Sequence, residues 1–450
     1  MVPDSRLSTE EVMRVARARF IQISCQQHID LSMLNHFFDG HSAQFGSSGK
    51  EIKDMELALL LLASADKIDN QQFDNASKSL NLCGFLSSKR GNAVQRVVHY
   101  FAKALGERIE REIGVVKLTG MESKGQLLHP EETTVTLNPA LIACSLRQPY
   151  SQVSQFAGIQ AVIERLTSAK KVHFIDLAIR SGGHCTVLMQ ALANRHESPV
   201  ELLKITAVGT TSEQKMEEAG AKLSCFSGTL NLPFSFKAIT IENIKDLKED
   251  MFELSDGEVV AIFSRIMLRT IKPHPGCMES LLGVLRNLNP RVMVITEFEA
   301  NHCSPIFIDR FLEALFFYSA FYDCLELNMD PCDPNRMTLE ACLGQEIRDI
   351  IASEDDKRMF QHLKIDGWRA NFAKFGMVGE ELSTSSFYQA ELVLQNFASG
   401  NLCTLDRNGK CLITGWRGTP ILSVSAWRFH QQEQKRKVVP RNINHVNGNG

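Results

Sequence analysis

VHFIDLAIRSGGHCTVLMQALANR (Val172–Arg195) is the stretch on which the fold turns. A short apolar run ends in Asp176, a loop follows with Gly182 and Gly183, and the chain then becomes helical in pattern. Strand, glycine loop and helix N-terminus are the outline of a nucleotide- or cofactor-binding unit, because the first amides of a helix present unpaired donors to an anion. A methyltransferase-like version needs a carboxylate followed by glycines at alternating positions, which let the backbone approach the ligand without a Cβ in the way. Counted from Asp176 those positions are Ala178, Arg180 and Gly182, so only the last is glycine. An acid is also needed at the end of the next strand to bind ribose hydroxyls. That strand reads LLKITAVGTT, and Val208-Gly209 stand where the acid belongs. The outline is a cofactor fold; the contents predict that no cofactor is held.

Around this unit the texture changes twice. Residues before Lys171 read as helices: STEEVMRVARARFIQIS with Ser8 and Glu11 as a capping box, IKDMELALLLLASADKIDNQQFDNASKSL, AVQRVVHYFAKALGERIERE, and two more over about 139–146 and 149–169. Polar breaks fall at DGHSAQFGSSGKE and GMESKGQLLHPEETT. After Lys171, five strand candidates (VHFIDL, LLKITAVG, SFKAIT, VVAIFS and RVMVITE) alternate with helical segments. That alternation implies parallel strands joined by crossover helices. Towards the end, NLCTLDRNGKCLITGW carries Asn408-Gly409 between two strand-like runs, a hairpin signal, and ILSVSAWRF adds one strand more. The expected fold is α/β: a Rossmann-type, methyltransferase-like, mostly parallel sheet with an antiparallel C-terminal hairpin, capped by N-terminal helices. The expected divisions are a helical extension over 1–52, a main domain over 53–429 and a disordered polar tail over 430–450.

The 450 residues are 44% hydrophobic and 22% charged with formal net charge -3, so no global basicity points to nucleic acid. No uncharged apolar run approaches the roughly 18 residues of a membrane span, and the N-terminus lacks a secretion signal. The twelve cysteines include no CxxC pair and suit a reducing compartment. No phosphate loop, HExxH or GxSxG elbow is present. Glu297, Glu299 and His302 in ITEFEANHCSP fall at a strand end, where open α/β sheets place their sites, but they read as caps of the following helix or partners of cations such as Arg310. His173, inside an apolar strand, reads as a hydrogen-bonded core histidine. Expected catalytic, cofactor and metal residues are therefore none.

Several further stretches resemble the GRAS family of plant transcriptional regulators. VHFIDL is similar to its VHIID motif through Val172, His173, Ile175 and Asp176. RQPYSQVSQFAGIQAVIERL resembles the helix before it, and QRVVHYFAKALGERI the end of the first leucine-rich region. EFEANHCSPIFIDRFLEALFFYSAFYDCLE resembles the PFYRE region, with Glu297, Asn301, His302, Arg310 and Tyr318. Trp368 and Gly376 keep a W-x7-G spacing, Trp416 and Trp427 a W-x10-W spacing, and Ser425-Ala426-Trp427 match the SAW signature. Two features depart from the pattern. His184-Cys185-Thr186 replace the GxQWxxL-like continuation. The arginine–glutamate pair of PFYRE appears as Gln345-Glu346, with Arg336 and Glu340 upstream, so that ion pair is not carried over. No DELLA-type motif is visible before the domain.

The resemblance implies a co-regulator located in the nucleus, with the cytoplasm as a second location, that binds transcription factors and other GRAS proteins as homo- or heterodimer, with no membrane and no small-molecule substrate. The alternative is direct sequence-specific DNA binding, opposed by the net charge and the lack of any helix-turn-helix, zinc or basic-zipper signature. The third reading, an S-adenosylmethionine-dependent methyltransferase, is opposed by the loop. Lys89, Arg96 and Lys103, spaced by seven, with Arg108 close by, form the candidate interaction surface, fit for acidic partners or DNA phosphate; a plain solvated face is the competing reading. Leu57, Leu60 and Leu61 fit an LxxLL docking pattern but read as core. Trp416 and Trp427 are expected to pack together.

Overall fold

The computed structural model of the chain describes residues 7–24, 49–114, 139–210 and 213–430. Helix α1 (Thr9–Ser24) opens on the expected capping box: the Ser8 amide donates to Glu11 Oε2 at 2.6 Å and the Glu11 amide to Ser8 Oγ at 3.1 Å. Helices α2 (Gly49–Asp69), α3 (Phe73–Leu86) and α4 (Ala93–Glu112) follow, the last opened by a second box between Asn92 and Gln95. Leu57, Leu60 and Leu61 are buried in α2, as core and not as a docking motif. Helices α5 (Pro139–Arg147) and α6 (Pro149–Arg165) each begin on a proline, whose missing N–H costs nothing in a first turn. Most of the polar break before α2, the loop expected over 120–134 and the tail after 430 lie outside the described residues.

The α/β part then runs β1 (Lys171–Asp176), α7 (Gly183–Ala193), β2 (Leu202–Gly209), α8 (Glu213–Thr229), β3 (Phe234–Thr240), β4 (Glu258–Arg265), α9 (Leu268–Ile271), α10 (Cys277–Asn287) and β5 (Val292–Phe298). It continues as α11 (Phe307–Asn328), α12 (Pro334–Ala352), α13 (Ile365–Lys374), β6 (Met377–Glu380), α14 (Thr384–Gln395), β7 (Cys403–Asn408), β8 (Cys411–Trp416) and β9 (Thr419–Phe429). The nine strands form one sheet in the order β3-β2-β1-β4-β5-β9-β8-β7, with β6 on β9. Strands β1 to β5 pair in parallel, and β9 lies antiparallel to β5. The order reverses between β1 and β4, which makes the crevice at their carboxyl ends the place where such sheets bind ligands. The five parallel strands and the hairpin at Asn408-Gly409 stand where expected, Gly409 taking φ +56 in the turn. Strand β6 was not foreseen.

Three apolar clusters fill the molecule. One joins α1–α4 to α11 and α12; the others lie on the two faces of the sheet, under α6, α7 and α14 on one side and α10 and α13 on the other. The tryptophans do not pack together as expected. Trp416 sits at the β8–β9 turn opposite Thr419 and belongs to the cap cluster, whereas Trp427 pairs with Met293 and packs at 4.8 Å on Phe372. Trp416 ties cap to sheet instead: its Nε1 donates to Asp323 Oδ2 at 2.8 Å, while Asp323 Oδ1 accepts the Thr9 amide at 3.0 Å.

Candidate functional site at the carboxyl ends of the parallel strands

Val172, His173, Ile175 and Asp176 are all buried in β1. His173 is held by both neighbouring strands, Nδ1 to Glu258 of β4 at 3.0 Å and Nε2 to Thr206 of β2 at 2.8 Å. Burial lowers its pKa to about 4, so the ring is a neutral cross-strand bridge. Asp176 Oδ1 accepts the Ala178 amide at 2.9 Å and Oδ2 faces His184 Nε2 at 2.6 Å, the cap and partner role expected of a structural carboxylate. Gly182 takes φ +69, and a Cβ there would meet Leu223 at 3.2 Å. Arg180 takes φ +51. The glycine-demanding geometry of a cofactor loop is thus kept at this position although the residue is arginine, at a backbone cost of about 1–2 kcal/mol. Asp176, His184 and Cys185 bring three donor atoms within 4.8 Å of one another. Burial keeps the Cys185 thiol protonated, and the positive field of Arg180 and Arg265 next to Asp176 opposes a dication there.

The second group of polar side chains follows β5. Glu297 and Glu299 are buried, but they cap neither the following helix nor pair with Arg310. Glu297 Oε1 accepts the amides of Met267 and Leu268 at 2.9 and 2.7 Å, at the start of α9; Glu299 accepts the Ile365 amide at 2.9 Å, at the start of α13. Both helices begin next to the carboxyl end of β5, so the carboxylates serve helices distant in sequence. Burial pushes both up to about 7. Arg310 donates instead to the carbonyls of Ile350, at 3.1 Å, and Ser304.

A buried chain of hydrogen bonds runs alongside. Arg269 forks onto Glu346 at 2.7 and 3.0 Å, and Tyr318 donates to the same carboxylate at 3.1 Å. Arg269 Nη1 also donates to His362 Nε2 at 2.7 Å, which leaves His362 Nδ1–H to donate to His302 Nδ1 at 2.7 Å. Burial lowers His302 to about 3 and His362 well below its usual value, so both rings are neutral. Glu346 therefore keeps an arginine partner, supplied by α9 and not by its own helix. Arg269 and His362 could not be singled out from the sequence; the one available signal was a pair of cations, Arg265 and Arg269, in the apolar run IFSRIMLRTI. Arg336 and Glu340 do pair, at 2.9 Å. Asn301 is exposed, its amide bonded to Glu313.

The GRAS domain family model matches residues 57–428. The chain belongs to the GRAS family of plant transcriptional regulators. It is 31% identical over 382 residues to the DELLA protein RGL1 of Arabidopsis thaliana, covering 84% of this chain and 71% of that protein. It is 31% identical over 380 residues to the DELLA protein GAI1 of Vitis vinifera, covering 83% of this chain but only 62% of that one. The crystal structure of SCL7 from Oryza sativa matches in fold, with TM-score 0.72 at 23% identity, covering 83% of this chain and 99% of that one.

In this GRAS domain the C-terminal motif residues hold the sheet together. Trp368 is buried beside Phe372, and Gly376 takes φ +68 just past the end of α13, a position that favours glycine. Ser425 Oγ accepts from Trp427 Nε1 at 2.8 Å and donates to the Ile295 carbonyl at 3.2 Å; Ala426 is buried between them. The basic stripe does not form as expected. Lys89 precedes α4 and is exposed, as is Lys103, but Arg96 is buried against Glu326 and Glu340 at 2.5 and 3.1 Å. Arg108 is half-buried, 4.2 Å from the Phe307 ring centroid. A different surface stands out: Leu82, Phe85 and Leu86 at the end of α3 are 43%, 85% and 48% exposed, next to exposed Lys89 and Arg90.

Proposed function

We propose that this GRAS protein regulates transcription in the nucleus by binding other proteins, transcription factors and other GRAS proteins among them, without chemistry of its own. The observation that carries this reading is the apolar row at the end of α3. Spacing by three and four puts Leu82, Phe85 and Leu86 on one helix face. Aromatic and leucine side chains left in water beside two cations are the composition of a docking site for an apolar segment flanked by acids. The strand-end site supports the absence of catalysis. Glu297 and Glu299 are spent as helix caps, His302 and His362 are bonded to each other, and Asp176 is held by His184. A general acid or base needs a group free to reach a substrate proton.

The test is affinity purification from plant nuclear extract with the full chain and with a Phe85→Glu, Lys89→Glu variant. Transcription factors or GRAS proteins recovered with the parent and lost with the variant, at unchanged melting temperature, are the expected result. Recovery of neither class by the parent overturns the reading. Duplex binding with a steep salt dependence would favour direct DNA recognition instead.

A further inference from the structure

The crevice at the carboxyl ends of β1 and β4 contains a cavity of about 80 Å³ beneath α5 and α12. A smaller one of about 40 Å³ adjoins it, and Ser145, Arg180 and Arg265 line both. Arg269 lines the larger, but its charge is matched by Glu346. The other two guanidiniums have no such partner. Arg265, 6% exposed, reaches Ser151 and, at 3.4 Å, Ser145, both neutral hydroxyls; its Nε has no hydrogen-bond partner. Arg180 makes no ion pair among the described residues. The carboxylates nearest in the field, Asp176 and Glu297, are held by His184 and by the amides of α9. Buried Gln148, also lining the larger cavity, has an unpartnered Nε2 donor. Gly183 and His184, the first turn of α7, line the smaller one, adding the positive end of a helix.

The unpartnered groups lining the larger cavity, Gln148 Nε2, the Tyr150 hydroxyl and the Nε atoms of Arg265 and Arg269, can all donate. Setting a buried guanidinium, Arg265, beside a half-buried one, Arg180, with no carboxylate paired to either is costly unless an anion joins them. Burial and the neighbouring Arg180 lower Arg265 to about 9, and burial with Arg269 lowers Arg180 to about 10, the sign of uncompensated positive charge. We propose that this crevice binds a phosphate-type dianion, free or as the monoester of a small molecule, between Arg180, Arg265 and the N-terminus of α7. Two planar forks and helix amides match the several acceptor oxygens of such a group. A volume of about 80 Å³ is several times the roughly 10–15 Å³ that one water requires by the same measure, so a tetrahedral oxyanion fits. The cofactor crevice of the ancestral fold is thus turned to a smaller and more highly charged ligand. The proposal is independent of the partner-binding reading.

The experiment is calorimetry and thermal unfolding of the full chain with inorganic phosphate and with glycerol 3-phosphate, against sodium chloride at equal ionic strength. Phosphate is expected to bind at one site and raise the melting temperature, chloride to do neither. Tighter binding of glycerol 3-phosphate identifies a phosphorylated small molecule; equal or weaker binding identifies the free ion. Arg180→Gly relieves the left-handed backbone while removing a cation, so it folds, and it weakens binding by roughly tenfold or more. Arg265→Met does the same from the buried side. No response of the parent to millimolar phosphate, undiminished binding by Arg180→Gly, or a response to duplex DNA alone would each overturn the proposal.

Discussion

Two clusters of arginine, built from the same chemistry, differ in how their charge is met. In the cap, Arg96 and Arg336 face Glu326 and Glu340 in four contacts between 2.5 and 3.1 Å, two cations against two anions. At the strand ends, buried Arg265 and Arg269 and half-buried Arg180 stand with one ion-paired carboxylate, Glu346, and Arg269 alone pairs with it. The first cluster is closed: it pins α4, α11 and α12 together and asks for nothing from outside. The second is open, and its surplus charge is turned toward a cavity. Buried charge marks architecture where it balances within the chain, and points to a missing partner where it does not.

The largest effect is expected from unbalancing the closed cluster. Arg336→Met leaves Glu326 and Glu340 with one cation and should cost about 3–5 kcal/mol, read as a drop in the denaturant midpoint. Arg336→Met combined with Glu340→Gln should cost less than the two single changes added, the coupling expected of a network. A loss below about 1 kcal/mol for Arg336→Met would mean that the cap is not held this way. Trp427→Ala should cost a similar 3–5 kcal/mol through the cavity left beside Phe372. It removes no charge, so added salt should leave its deficit unchanged while altering that of Arg336→Met.

Acid titration separates the regions next. His302 sits at about 3 in the folded protein against 6.5 in an unfolded chain, so the unfolded state binds the extra proton between those values. Its stability contribution is complete above pH 6.5 and is lost as pH falls, by up to about 1.4 kcal/mol per pH unit. Glu297 and Glu299, raised from 4.5 to about 7, act in the opposite sense, because they hold protons in the folded state that the unfolded state has released. His302→Phe should therefore flatten the acid slope of stability by roughly one proton. An unchanged slope would show that His302 is not buried neutral.

How much of this was legible depended on the distance over which the cause acts. Strands β1 to β5 could be read because central parallel strands are buried on both faces and appear as continuous apolar runs. Strand β6, four residues of MVGE, carries no such run and forms because β9 offers it an edge. The capping boxes at Ser8 and Asn92 act over three residues and are written locally. The Arg269–Glu346 fork joins positions 77 apart, and no spacing rule reaches that far. Glu297 and Glu299 were placed correctly at a strand end, but their helices come from elsewhere in the chain. The basic stripe failed for another reason: a seven-residue spacing says that Arg96 and Lys103 share a face, not that the face meets water. Arg96 lies beside Val97 and Val98 in the buried part of α4, with acids waiting for it on α11 and α12.

The two smallest expected effects set the open cluster against the exposed remainder of the stripe. Arg180→Gly should stabilise the protein without phosphate by about 1 kcal/mol, since it removes both the left-handed backbone cost and a surplus cation. Lys103→Glu should change stability by no more than about 0.5 kcal/mol, because the ammonium is exposed and surface charge is screened. Seven residues, about two helical turns, separate Lys103 from Arg96, yet Arg96→Glu, which would place a third carboxylate beside Glu326 and Glu340, should prevent folding. Measuring both reversals by circular dichroism melts decides where the surface of α4 begins. If Lys103→Glu were as damaging as Arg96→Glu, the stripe would be structural throughout. If both were silent, the closed cluster would not be closed.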